Sequence, residues 1–173
     1  MTAYEEVILV DRHDAPLGFM EKMEAHRGAH LHRAFSVFLF DAQGRMLLQR
    51  RSEGKYHCAG LWSNAVCSHP RPDETMEISI SRKMQQEIGA SPEVEKAFTF
   101  YYKANLDNGL TEHELDHIFI GRCNGELQLN PAEVDAVRYA YPEEIMADME
   151  RNSSAYTPWF RLLLPKMMEY LSR

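Results

Sequence analysis

The stretch that most limits how this chain can fold runs from Pro72 to Gly89. Met76, Ile80, Met84 and Ile88 recur every four residues, which draws an apolar stripe down one side of a helix. Pro72 and Asp73 mark its start, with Asp73 expected as N-cap because a carboxylate there accepts the free amides of the first turn. Gly89 marks its end, since glycine takes the left-handed C-cap conformation at no steric cost. Lys83 and Glu87, four apart, are neighbours on this helix.

Such a stripe needs a partner surface, and the flanking runs supply strands. Val7–Val10, Arg33–Phe40, its return Arg45–Arg50 across an Asp41–Gly44 turn, Lys96–Ala104, Glu112–Arg122 and Ala136–Ala140 all read as extended. Asp11–Gly18, Asn105–Gly109 and Asn124-Gly125 read as turns. Glu21–His32 is polar with no clear apolar period and reads as a lid-like loop or a short helix. Tyr141-Pro142 opens a short helix, and Pro158 opens a last one carrying Trp159, Leu162, Leu163, Met167 and Leu171. Strands, a central helix, more strands and a closing helix give an α+β fold, an α/β/α sandwich on a mixed central sheet. At 173 residues, one domain spanning 1–173 is expected.

Composition narrows the function. A net charge of −7 disfavours nucleic acid as the main partner, which would need a basic face, but leaves room for a small anion held by a local basic cluster. The opening Met1–Glu6 carries acid and no basic region ahead of an apolar core, and no run reaches the ~18 apolar residues of a membrane span. Three cysteines, Cys58, Cys67 and Cys123, are an odd number and suit a reducing, cytoplasmic setting better than a disulfide framework.

Chemistry-bearing residues concentrate in the middle of the chain. In Asn64-Ala65-Val66-Cys67-Ser68-His69-Pro70 a thiol and an imidazole stand two apart, on one side of the chain if it is extended. Seven of the eight histidines lie between residues 26 and 117. Glu112 and Glu114 are also two apart on an expected strand, with His113 and His117 on its other side. His26, His32 and His69 with Glu112 and Glu114 are three imidazoles and two carboxylates, a donor set suited to Mn²⁺ or Zn²⁺. No CxxC pair occurs, so nothing points to a closed structural zinc site.

The central helix carries a partial Nudix box, Gly-x5-Glu-x7-Arg-Glu-U-x-Glu-Glu-x-Gly-U, in which U is apolar. Glu74, Arg82, Glu87 and Gly89 match it, whereas Ser68, Lys83 and Gln86 replace a glycine and two glutamates. A Nudix pyrophosphohydrolase uses those carboxylates to hold Mg²⁺ on a diphosphate, so their loss argues against hydrolysis, and Lys83 puts a cation where a metal ligand would be. Taken with His26, Leu31-His32-Arg33-Ala34-Phe35-Ser36, Arg50-Arg51, Lys55, Trp62-Ser63-Asn64, Cys67-Ser68-His69-Pro70, Glu112-His113-Glu114 and Thr157-Pro158-Trp159, the chain resembles the type 1 isopentenyl-diphosphate isomerases from about Val7 to Leu171. Those are Nudix-fold, metal-dependent enzymes of isoprenoid biosynthesis that interconvert isopentenyl and dimethylallyl diphosphate.

The resemblance implies roles for individual residues. Cys67 and Glu114 fall on the catalytic acid/base pair, with Tyr102 beside the glutamate and Tyr101 as the rival register. His26, His32, His69, Glu112 and Glu114 fall on the ligands of an Mn²⁺ or Zn²⁺ ion, His30 being the rival of His26. Glu87 falls on the glutamate that holds Mg²⁺ with the substrate diphosphate. Lys22, Arg51, Lys55 and Lys83 fall on diphosphate-binding cations, Ser68 on the substrate-binding loop and Trp159 on the aromatic over the substrate. With the charge and hydropathy above, no nucleic-acid or membrane partner is expected, and a monomer or weak homodimer is expected. A pyrophosphohydrolase of a nucleotide or other diphosphate is the alternative activity.

Overall fold

The computed structural model describes residues 5–173, so Met1–Tyr4 of the acidic start lie outside the described residues. In chain order the elements are β1 (Glu6–Val10), β2 (Pro16–Glu21), α1 (Lys22–Arg27), β3 (His32–Phe40), β4 (Met46–Arg51), β5 (Trp62–Ser63) and β6 (Val66–Ser68). There follow α2 (Met76–Ile88), β7 (Val94–Asn105), β8 (Thr111–Arg122), β9 (Val134–Ala140), α3 (Pro142–Arg151) and α4 (Pro158–Leu171). No helix among them is long and apolar enough to cross a membrane.

β3 is the hub of the sheet. One edge pairs in parallel with β8, from His32 opposite Glu114 to Phe40 opposite Arg122. The other edge is shared by β1, β6 and β4 in turn. Successive side chains of a strand point to opposite faces, and β3 uses both. Phe35, Val37 and Leu39 pack with Ile80, Met84 and Ile88 of α2. Phe38 packs on the other face with Phe160, Leu163, Leu164 and Met167 of α4 and Ile145 of α3. The result is the expected α/β/α sandwich. Full burial of the three α2 side chains contributes roughly 1.5–3 kcal/mol each.

Several local expectations are corrected. The Asp11–Gly18 turn gives way at Pro16 to β2, an edge strand whose Leu17 and Phe19 are exposed, so it lacks an alternating buried pattern. The β3–β4 hairpin closes on an Asp41 turn, but the two strands pair only at Phe40 and Met46, because β6 takes the next part of that edge. In Glu21–His32 the helical alternative holds: α1 turns Ala25 and His26 inward, and His32 already belongs to β3. On α4, Leu162 and Leu171 face solvent, and Phe160 and Leu164 complete the buried stripe.

The start of α2 also differs. Thr75, not Asp73, is the N-cap, its hydroxyl accepting the Ile78 amide at 3.2 Å. Glu74 clamps the entry loop to the helix by accepting from Arg82 Nε at 2.6 Å, Ser79 Oγ at 2.6 Å and the Arg71 amide at 3.1 Å. At the other end Gly89 has φ 66°, and a β-carbon there would lie 2.7 Å from Gln128 atoms. That close approach lets the Gln128 and Asn130 amides bond the carbonyls of Ile88 and Glu87.

The Glu74 clamp sets an acid limit on stability. Burial raises its pKa, but the bonds from Arg82, Ser79 and Arg71 outweigh that and hold it at about 2 against an ordinary 4.5. A carboxyl whose folded pKa is depressed stabilises fully above its unfolded pKa and loses that contribution as pH falls toward the folded value. Glu74→Gln should therefore cost ~2 kcal/mol at pH 7 in urea unfolding, and the gap from wild type should close between pH 4.5 and 2. A gap of equal size at both ends of that range would refute the clamp.

Candidate metal centre and catalytic cavity

Strand register assembles the site. Across three neighbouring strands, His32 of β3 lies opposite Glu114 of β8, which lies opposite Tyr102 of β7. Two positions along β8 in either direction, Glu112 and Asp116 follow the same alternation, and all three carboxylates are buried. On the other edge of β3, Ser36 stands opposite Cys67 of β6.

His26, His32, His69, Glu112 and Glu114 each offer a donor atom within 4.8 Å of the others. His69 Nε2 is 3.0 Å from Glu114 Oε1, His32 Nε2 is 3.6 Å from the same oxygen, and His26 Nε2 is 3.4 Å from Glu112 Oε1. The orientation of two rings is fixed from behind. His26 Nδ1 donates to the Lys22 carbonyl at 2.6 Å, and His32 Nδ1 donates to the His30 carbonyl at 2.8 Å. Each Nε2 then carries a lone pair, and both are buried without a hydrogen-bond partner, as is Glu112 Oε2. Acceptors facing acceptors in a buried site call for a cation. The cluster is compatible with a divalent metal, with neutral imidazoles as its nitrogen donors. Burial and the neighbouring imidazoles push His69 well below the usual range, and burial takes His32 down to about 4; at His26 burial acts the same way but Glu112 outweighs it and raises the ring. The rival His30 is exposed and enters through its carbonyl alone.

The cluster forms one side of a cavity of about 360 Å³. Tyr102 Oη donates to Glu114 Oε2 at 2.9 Å, whereas Tyr101 pairs with His113. Burial, then the charge of Glu112, raises Glu114 well above the ordinary carboxylate range. Cys67, also lining the cavity, donates to Asn64 Oδ1 at 3.0 Å. Ser36 Oγ lies 3.5 Å from the sulfur and donates to Asp116 Oδ2 at 2.7 Å. Burial, helped by the Asp116 charge, pushes the thiol up to about 12, so it is protonated at neutral pH.

Lys22, Arg51, Lys55, Lys83, Ser68 and Trp159 all reach the same cavity. Three of the cations rest on carboxylates: Lys22 on Glu5 at 2.7 Å, Lys83 on Glu87 at 3.2 Å, and Lys55 on Glu133. Glu87 also accepts from Gln49 and is buried on α2. The Trp159 indole donates to Ser63 at 3.0 Å, and the Arg51 guanidinium lies 5.2 Å from its ring. A wider hollow of about 670 Å³ at the far ends of β3 and β8 gathers none of these residues. Two members of the site were not anticipated. Asp116 had a signal, since it extends the spacing of Glu112 and Glu114. His57 had only its place among the seven histidines between residues 26 and 117 and its nearness to Lys55.

A family model described as NUDIX domain matches residues 30–160. An isopentenyl-diphosphate Delta-isomerase 2 of Aromatoleum aromaticum is 43% identical over 95% of this chain and 87% of its own length. An isopentenyl-diphosphate Delta-isomerase of Pectobacterium atrosepticum is 42% identical over 95% of this chain and 92% of its own. The chain belongs to the isopentenyl-diphosphate Delta-isomerase family. Among solved structures, a Deinococcus radiodurans protein superposes with TM-score 0.79 at 19% identity, covering 94% of this chain and 98% of that one. The MutT protein of Methanosarcina mazei gives 0.67 at 19% identity, over 83% of this chain and 96% of its own. These two show that this isomerase-family chain is built on the Nudix fold.

Proposed function

We propose that this chain interconverts isopentenyl and dimethylallyl diphosphate by adding one proton and removing another. The observation that carries the reading is the meeting, in one cavity, of a protonated thiol, a Tyr102–Glu114 pair and four cations. In the forward direction a proton joins the terminal alkene carbon, leaving a tertiary cation. A proton then leaves the carbon next to the one bearing the diphosphate, and the double bond re-forms there. Protons in and out balance, so no oxidant or other co-reactant is needed.

Cys67 and Glu114 are the two groups that move protons in this scheme, and Tyr102 holds the carboxyl of Glu114 in place. General acid–base catalysis of this kind contributes roughly 10²–10⁴-fold. Trp159 offers its ring face to the developing cation, an interaction of ~2 kcal/mol in a dry site. Lys22, Arg51, Lys55 and Lys83, with Ser68, fix the diphosphate. That orients the alkene toward the reacting groups and keeps the anionic tail away from them. His26, His32, His69, Glu112 and Glu114 would hold an Mn²⁺ or Zn²⁺ ion and Glu87 an Mg²⁺ ion on the diphosphate, supplying positive charge that fixes the carboxylates and neutralises the substrate. The pyrophosphohydrolase alternative needs carboxylates at positions 83 and 86, where this chain has a lysine paired to Glu87 and a glutamine.

Incubating the protein with isopentenyl diphosphate, Mg²⁺ and Mn²⁺ in deuterated water tests the reading. Dimethylallyl diphosphate carrying deuterium is the expected product. Released phosphate with no isomer would overturn the isomerase in favour of the hydrolase.

A further inference from the structure

His57 belongs to no role assigned above, yet it occupies the seam between the two halves of the site. It is buried, stacked face to face on Tyr56 with ring centroids 4.2 Å apart, and 5.5 Å from the Trp159 ring. Both ring nitrogens are engaged. Nδ1 lies 3.0 Å from Arg51 Nη2, and Nε2 lies 3.0 Å from Glu112 Oε1.

Donor and acceptor chemistry allows one assignment. A guanidinium only donates, so Nδ1 must be the acceptor and carry no proton. The proton of the neutral ring then sits on Nε2 and is given to the carboxylate. An imidazolium would set N–H against N–H at Arg51, and the opposite tautomer would set lone pair against carboxylate. We propose that His57 is a positioning residue that ties the diphosphate-binding Arg51 to the metal-binding Glu112 as a neutral, Nε2-protonated imidazole. This rests on the isomerase reading for the role of Arg51 and on the His/Glu cluster for that of Glu112.

The consequences at each end are specific. At Glu112 the bond holds Oε1, the oxygen that also lies 3.4 Å from His26 Nε2, while Oε2 has no hydrogen-bond partner, so the ring fixes the carboxylate where it meets the cluster. At Arg51 the ring and the His57 carbonyl together take Nε and Nη2, at 3.3 Å and 3.2 Å for the carbonyl. Among the described residues Arg51 makes no hydrogen bond through Nη1, which is left for a phosphate oxygen. One side chain therefore sets the angle of a carboxylate and of a guanidinium together, and carboxylates that bind metal depend on such outer bonds.

The test compares H57F, which keeps the stack and removes both bonds, with H57Q, whose amide offers one acceptor and one donor. Mn²⁺ loading is measured by equilibrium dialysis without substrate, and KM and kcat for isopentenyl diphosphate separately. H57F should raise both the Mn²⁺ half-loading concentration and KM by about 10-fold or more, with a smaller fall in kcat, and H57Q should recover most of both losses. Should H57F not fold, H57L is read in its place. A variant that loses melting temperature but keeps wild-type loading and KM overturns the proposal. If wild type loads Mn²⁺ but makes no dimethylallyl diphosphate, the isomerase reading fails, and the dialysis still decides whether His57 positions Glu112.

Discussion

Cys67→Ala should lower turnover of isopentenyl diphosphate by about 10³-fold, with KM and metal content close to wild type. The thiol is a neutral acid lining the cavity, and it makes no hydrogen bond to the His/Glu cluster. Its sulfur bonds Asn64 and touches Ser36. Removing it leaves both neighbours supported, since the Asn64 amide still donates to the Val37 and Val66 carbonyls and Ser36 still donates to Asp116. The fold should therefore survive, with a melting transition within a few degrees of wild type. Deuterium incorporation from solvent gives the sharper reading, because exchange without net conversion would separate the two proton transfers. Turnover within tenfold of wild type would end the acid/base role of Cys67.

His69→Ala and Glu114→Gln should each release the divalent ion and abolish activity. Three imidazoles and two carboxylates meet in this cluster, and two of the ring nitrogens have no other partner. Elemental analysis should find about one tightly held ion per chain in wild type, with affinity weakened at least ~100-fold in either variant. The same cluster predicts a stability effect. Mn²⁺ at 100 times its Kd should raise the unfolding free energy by about 2.7 kcal/mol in wild type and by much less in His69→Ala. Full activity and an unchanged melting curve in strong chelator would refute the metal centre.

Part of this site is readable from local spacing alone. Glu112 and Glu114 alternate on one strand, Cys67 and His69 follow each other by two, and the α2 stripe repeats every four residues. Grouping the distant residues needed the resemblance to the isomerases, because local spacing carries no register between far segments. Nothing local says that β3 lies parallel to β8, yet that pairing puts His32 beside Glu114. The choice of His26 over His30 turned on α1, a helix of six residues with too few apolar positions to show a period. The cap at Thr75 was hidden because Glu74, next to it, is drawn away by Arg82 and Ser79, a bond network that spacing cannot show. The first half of β2, Pro16–Gly18, looks like a turn because an exposed edge strand needs no alternation.

The parallel pairing of β3 with β8 also bears on how the protein reaches its working form. The two strands are separated by the 70 residues from Asp41 to Leu110, including α2 and β7, and must close that whole loop before they gain any contact. Pairings of such high sequence separation are slow to form. His32 and Glu114, on either side of this seam, complete the candidate metal cluster only once the strands have paired, so an ion finds its full donor set in the finished structure. Metal should then leave the refolding rate nearly unchanged and slow unfolding instead, acting as a kinetic lock on the finished structure. Stopped-flow refolding and unfolding with and without Mn²⁺ would show it, and a refolding rate that climbs with metal would mean that the cluster forms early.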